Sequence, residues 1–383
     1  MFAKRTSWNL QPNRFSAAVE RVRSGRRELL DLTESNPTRV GLDYDTWVLE
    51  PLSSLAALEY RPDPRGLVNT REAIARYYRE RGALKAPDID RIVLTTSTSE
   101  AYSFVFRLLC DPGDEVLVPA PSYPLLDFLA SIQDVQLRPY SLLYDHGWHL
   151  DMHSLKQAVG GRSRALIVVH PNNPTGSFVK QEEMTALGEL CREHELALIA
   201  DEVFLDYSLD GKSRPSFSST DDALTFTLSG ISKISALPQM KLAWIAVSGP
   251  EDLARQAMAR LEVIADTYLS VSTPVQLGTA EFLSARHSIQ QKLRERLRAN
   301  VAELDRQLTG GCTRLEIEGG WYAVLRVPAI RSDEDLAIEL LEDGVIVHPG
   351  HFYDFPSEAF LVVSLINEPE KFAEGIGRMM KRV

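Results

Sequence analysis

Ala165-Leu-Ile-Val-Val169 runs directly into His170-Pro-Asn-Asn-Pro-Thr-Gly176, and three other segments follow the same pattern. Arg91-Ile-Val-Leu-Thr95 opens into Thr96-Ser-Thr-Ser-Glu100, Ala197-Leu-Ile-Ala200 into Asp201-Glu202, and Leu224-Thr-Phe-Thr-Leu228 into Ser229-Gly-Ile-Ser-Lys233. Short apolar runs rich in Val and Ile, with little alternation, suit strands buried on both faces, as in a parallel sheet. Between about residues 50 and 270 such runs alternate with amphipathic stretches, the pattern of βαβ units, so the fold class is α/β. In an open α/β sheet, ligands bind off the carboxyl ends of the strands. A Thr/Ser loop, an Asn, an Asp and a Lys therefore fall along one edge.

A chain of 383 residues is comfortable for two domains. The pattern divides it into an N-terminal arm (1–45), a large α/β domain with a mostly parallel sheet (46–272) and a smaller α+β C-terminal domain (273–383). The arm is expected to join the small domain, and one long helix from Pro274 to about Leu308 to lead into it. Within that domain Trp321–Arg326, Val345–Val347 and Phe360–Val363 read as strands. Ser332-Asp-Glu-Asp335 reads as a helix cap, and Phe372, Ile376 and Met379 as the face of a last helix. Further helical faces are Met184, Leu187, Cys191 and His194, and Leu253, Ala257, Leu261, Ile264 and Tyr268.

The net charge of −11 argues against broad nucleic-acid binding and against anionic membranes. Three scattered cysteines without a CxxC or Cys/His cluster fit a reducing compartment. No stretch reads as a signal peptide or a transmembrane span, so the expectation is a cytoplasmic protein.

Each residue on the edge has an ordinary reading when taken singly. A lysine is usually solvated, but Lys233, between Ser232 and Ile234 just past a buried strand, could be desolvated enough to act as an amine nucleophile. Asp201 ends an apolar run, and a buried Asp needs a partner. Asn173 sits in a Pro/Asn/Gly turn. The Thr96–Glu100 loop is either a simple N-cap or, with the free N–H groups of the following helix, a phosphate site. Neither GxGxxG after the first strand nor GxxxxGK[ST] is present, which disfavours dinucleotide and Walker-type sites. Taken together, the groups ask for one ligand with a phosphate, a ring nitrogen that wants an anion, an acceptor oxygen and an aldehyde. Pyridoxal 5′-phosphate (PLP) has all four.

Asn173-Pro-Thr-Gly176, Asp201-Glu202 and Ser232-Lys233, spaced by 28 and 32 residues, resemble the class I/II aminotransferases of PLP fold type I. The likeness extends over nearly the whole chain. It includes Tyr60-Arg-Pro-Asp-Pro-Arg-Gly66 with Arg71-Glu-Ala-Ile74, Asp111-Pro-Gly-Asp-Glu-Val116, Pro119-Ala-Pro-Ser-Tyr-Pro124, Gly319-Gly-Trp-Tyr322 and Val347-His-Pro-Gly350.

The resemblance implies transfer of an amino group between an amino acid and a 2-oxo acid by a ping-pong cycle. Lys233 would be the Schiff-base lysine and proton shuttle, and Asp201 the partner of the pyridinium nitrogen. Asn173 would bond the ring's phenolic oxygen and Tyr123 would stack on the ring, with Ser97, Thr98 and Ser99 holding the phosphate. Tyr60 would reach the cofactor of the second subunit in a homodimer.

Three departures accompany the likeness. Phe204 stands where many relatives carry Tyr, so a hydroxyl facing the phenolic oxygen is missing. Lys241 stands where an Arg usually clamps the phosphate, supplying charge without a bidentate fork. Val362 stands where relatives place the Arg that binds the substrate carboxylate. Arg39, and after it Arg326, are the candidates to replace it. The missing Arg keeps a PLP-dependent decarboxylase or β/γ-lyase open as an alternative. The cluster His351–Phe355 either borders the substrate or packs against the last strand.

Overall fold

The computed structural model describes residues 1–25, 29–83, 85–269 and 271–383. Its central element is an eight-stranded sheet, in the order Ile92–Thr95, Ala243–Ser248, Thr225–Gly230, Ala197–Asp201, Ser163–Val169, Glu115–Ala120, Gln136–Tyr144 and Trp148–Leu150. The inner pairs are parallel. Ala243–Ser248 runs antiparallel to both of its neighbours, and this brings Ile92–Thr95 into the same direction as Thr225–Gly230. The four carboxyl ends singled out in the sequence therefore share one edge.

Burial on both faces explains the unbroken apolar runs. Ala165, Ile167 and Val169 enter one core with Ala197, Ile199, Phe226 and Leu228, against the helices Thr98–Leu109 and Glu251–Tyr268. Leu166, Val168, Leu198 and Ala200 point the other way, against the helix Gln181–Glu193. Each fully buried Ile or Leu contributes about 1.5–3 kcal/mol, and charged residues are held off both faces of Ala197–Ala200 until the strand ends at Asp201.

The C-terminal part forms a second layer. Thr313–Arg314, Tyr322–Arg326, Phe360–Ser364 and His348–Pro349 make an antiparallel sheet. Leu30–Asp31, near the chain's start, pairs in parallel with Val345–Ile346. Ser332 caps the helix Asp333–Glu342 through its side chain, and Phe372, Ile376 and Met379 are fully buried. No helix among the described residues is long and apolar enough to cross a membrane.

Three local expectations need correction. The long helix is two, Thr273–Leu277 and Thr279–Gln307, separated at Gly278, where a Cβ would lie 2.7 Å from the Phe282 ring. His194 is an exposed C-cap, not part of the buried face. In Glu251–Tyr268, Leu253 and Tyr268 are exposed, and the buried stripe is Ala254, Ala257, Met258, Leu261 and Ala265. Ala257 and Leu261 lie on that face as expected, and small alanines, Ala254 and Ala265, carry its ends where the larger Leu253 and Tyr268 face out.

Candidate active site

The strand ends converge on a cavity of about 170 Å³, an order of magnitude beyond the ~10–15 Å³ that one water needs. It is room for a small molecule. Of the expected residues, Thr98, Ser99, Tyr123, Asn173, Asp201, Phe204 and Lys233 line it.

Each is placed by the end of a regular element. Asp201 is the last residue of its strand, and alternation sends its neighbour Glu202 to the opposite side. There Glu202 is buried, accepts from Ser216 Oγ and the Phe217 N–H, and is pushed up by burial to about 7. Asp201 faces the cavity. Its Oδ2 accepts from Tyr102 Oη at 3.1 Å and its Oδ1 from the Val203 N–H at 3.1 Å. Burial raises its carboxyl to about 6, against the pull of those two bonds and of Lys233.

Lys233 lies in the four-residue helix Ile231–Ile234 that ends the strand Thr225–Gly230. Its Nζ sits 4.7 Å from the Trp321 ring centre and 5.5 Å from that of Phe204. Desolvation lowers the amine to about 8, with the Asp201 charge opposing. An amine poised there changes protonation near neutral pH.

The Thr96–Glu100 loop is both of the things its sequence allowed. Ser97 caps the helix Thr98–Leu109 by accepting from the Glu100 N–H, and Glu100 Oε2 accepts in return from the Thr96 N–H and Oγ1. Ser97 is thus engaged as a cap and is not part of the lining, whereas Thr98 and Ser99 face the cavity at the helix's positive end. In the Asn173 turn, Asn172 donates to Pro121 O and Thr175 Oγ1. Asn173 Oδ1 is buried with no partner, although buried polar groups are normally paired.

The other expected residues lie outside the lining. Lys241 is exposed, in a left-handed conformation two residues before the lining residue Ala243. Tyr60 is exposed in a separate groove with Pro62, Gly66 and Leu94. Arg39 is exposed, four residues beyond the lining residue Ser35. Arg326 is exposed, its guanidinium 5.8 Å from the ring centres of Tyr144 and Phe360. Val362 is buried inside its sheet. Of the aromatic cluster, Tyr353 bonds His348 Nδ1 and Phe355 stacks on Phe360, so these two residues pack and do not line the cavity.

Sequence reasoning did not single out Tyr102 or Ser35, and quoted Ser232 and Tyr322 only within motifs without a site role; all four line the cavity. Tyr102 had a readable signal: it is one helical turn beyond Thr98, on the same face. Ser35 and Tyr322 come from the chain's two ends, and no local pattern joins them.

A family model for aminotransferase class I and II matches residues 53–371. The chain belongs to this family. Among curated relatives, the glutamate-pyruvate aminotransferase AlaA of Haemophilus influenzae is 27% identical over 94% of this chain and 92% of its own. The alanine aminotransferase of Mycobacterium bovis is 27% identical over 94% and 86%. Among solved structures, the alanine aminotransferase of Pyrococcus furiosus superposes with a TM-score of 0.89 at 22% identity, covering 100% of this chain and 99% of that one. The Thermus thermophilus aspartate aminotransferase single mutant gives 0.87 at 23%, covering all of both chains. The fold is therefore that of the aspartate-aminotransferase-like enzymes. This aminotransferase moves an amino group between an amino acid and a 2-oxo acid, and its family uses PLP.

Proposed function

We propose that this aminotransferase binds PLP in the cavity at the strand ends and works through Lys233. The observation that carries the reading is Lys233 and Asp201 facing one cavity whose wall also holds Thr98, Ser99 and the Asn173 amide. A group offering a phosphate, a ring nitrogen and a polar ring substituent fits those donors and acceptors. Thr98 and Ser99 would hold the phosphate, with Lys241 adding charge and the cap residue Ser97 fixing the loop. Asn173 would meet the ring oxygen, Tyr123 the ring face, and Asp201 the ring nitrogen. Phe204 offers that oxygen no hydroxyl. When bound, the cofactor supplies an aldehyde for amine exchange and a ring that takes up the electron pair left when the substrate Cα proton departs. Lys233 Nζ takes that proton and returns it on the other side of the transfer, a role suited to an amine lowered to about 8.

For substrate, the relatives named for alanine, glutamate and pyruvate support small amino acids of that kind. Ser35 and Tyr322 form the wall where the substrate sits. Arg39, on the same segment as Ser35, is the cation proposed for its carboxylate; Arg326, held between two aromatic rings, is the lesser candidate. The exposed run Trp47, Leu49, Leu55, Leu58 and Tyr60 supports a homodimer in which Tyr60 serves the partner's cofactor. The three unpaired cysteines support a cytoplasmic location. Single-turnover mixing with alanine or glutamate tests the function: one equivalent of 2-oxo acid per site is expected. Release of carbon dioxide without 2-oxo acid would overturn it in favour of a decarboxylase.

A further inference from the structure

We infer that Tyr207 and Gln290 are positioning residues that clamp the consecutive carbonyls of Lys233 and Ile234, just past the Lys233 Cα, and so set where its amine stands. This rests on the proposed role of Lys233. The helix Ile231–Ile234 has only four residues to hold itself: the Lys233 carbonyl accepts the Ala236 N–H at 3.2 Å, and a helix this short relies on outside donors for its last carbonyls. Tyr207 Oη donates to the Lys233 carbonyl at 2.7 Å. Gln290 Nε2 donates to the Ile234 carbonyl at 2.8 Å. The two donors come from unrelated elements, the turn after Asp201 and the helix Thr279–Gln307, and both are buried.

Each donor is itself held. Gln290 Nε2 also reaches Asp206 Oδ2 at 2.8 Å, and Asp206 accepts from Arg81 and from Tyr77 Oη. The Tyr207 ring packs edge-on against Trp321 at 5.1 Å, and the Tyr207 carbonyl accepts from the Gly320 N–H. Trp321 is the indole 4.7 Å from Lys233 Nζ. Tyr207 thus fixes both the backbone from which the lysine extends and the ring that walls its amine. A flexible four-carbon side chain ends where its Cα and its walls dictate, and a misplacement of about 1 Å can cost about 100-fold in rate.

The test compares three variants as holoenzymes. Tyr207→Phe removes one hydroxyl, and Gln290→Met removes the second donor. Tyr44→Phe is the comparison, because Tyr44 Oη donates to the Ala236 carbonyl at 2.8 Å, three residues past Lys233. Tyr207→Phe is expected to lower kcat about tenfold, to leave KM for the amino acid within about twofold, and to move the midpoint of the pH titration of the cofactor's visible absorbance by at least half a unit. Gln290→Met should move the same quantities in the same direction, and serves as the test if Tyr207→Phe does not fold. Tyr44→Phe should move the titration by less. An unmoved titration in both clamp variants, or an equal effect of Tyr44→Phe, would overturn the clamp. Borohydride labelling of the wild type separates the two levels: without label on Lys233 the reading beneath fails, whereas with label and unmoved variants only the clamp fails.

Discussion

Replacing Tyr102 with Phe deletes one hydroxyl and keeps the ring in its core. That hydroxyl donates to Asp201 Oδ2 at 3.1 Å and favours the ionised carboxylate, offsetting part of the burial that raises Asp201 to about 6. A hydrogen bond to a charged group contributes about 1.5–3 kcal/mol, and one pKa unit corresponds to about 1.36 kcal/mol. Losing the bond therefore moves Asp201 up by about 1–2 units, to roughly 7–8. At neutral pH the wild type holds a mostly ionised Asp201, and the variant holds one that is half protonated or more. A protonated Asp201 no longer supplies the anion that the ring nitrogen needs. The assay is the dissociation constant of PLP between pH 5 and 9, followed by fluorescence. The cofactor's own titrations are common to both proteins, so the difference between their profiles reports Asp201. Wild-type affinity is expected to weaken below about pH 6, and that of Tyr102→Phe below roughly pH 7–8. Superimposable profiles, or a shift to lower pH, would refute the reasoning.

Other outcomes follow from single side chains. Between about pH 8 and 10.5 the unfolded chain holds the Lys233 proton more tightly than the folded one, so the stability of the cofactor-free protein should rise with pH there. Lys233→Met should flatten that rise in denaturant titrations, and an unchanged slope would count against a desolvated amine. Arg39→Ala should raise KM for the amino acid about 10- to 100-fold if it binds the carboxylate, with Arg326→Ala close to wild type; steady-state kinetics decide this, and an unchanged KM for Arg39→Ala removes it from the role. Gly176 has φ +72° and a Cβ there would lie 2.5 Å from Gly319 O. Left-handed strain of about 1–2 kcal/mol and overpacking of about 1–3 kcal/mol should lower the Tm of Gly176→Ala by several degrees in calorimetry, and an unchanged Tm would contradict that geometry.

The sheet was legible because its strands are buried on both faces and each ends abruptly in polar residues. Ala197–Ala200 cannot be read as half-exposed, and Asp201 marks where burial stops. The cofactor half of the site followed from the same ends, since Asn173, Asp201 and Lys233 each lie within a few residues of a strand terminus. Tyr102 was harder: its ring belongs to the core of an apolar helix, and only its hydroxyl reaches Asp201. Ser35 and Tyr322 meet because the Ser364 N–H donates to the Leu32 carbonyl and Ser364 stands opposite Tyr322 in its sheet, a juxtaposition that no local periodicity encodes. The break at Gly278 was missed for the opposite reason, because a lone glycine in a helical pattern is usually tolerated, and here the Phe282 ring occupies the space a side chain would need.

The central claim is that Lys233 carries the chemistry. Reducing the holoenzyme with borohydride and mapping the labelled peptide tests it most directly. The pyridoxyl group is predicted on Lys233 and lost in Lys233→Ala; label on Lys241 or any other lysine, or on none, would contradict the account.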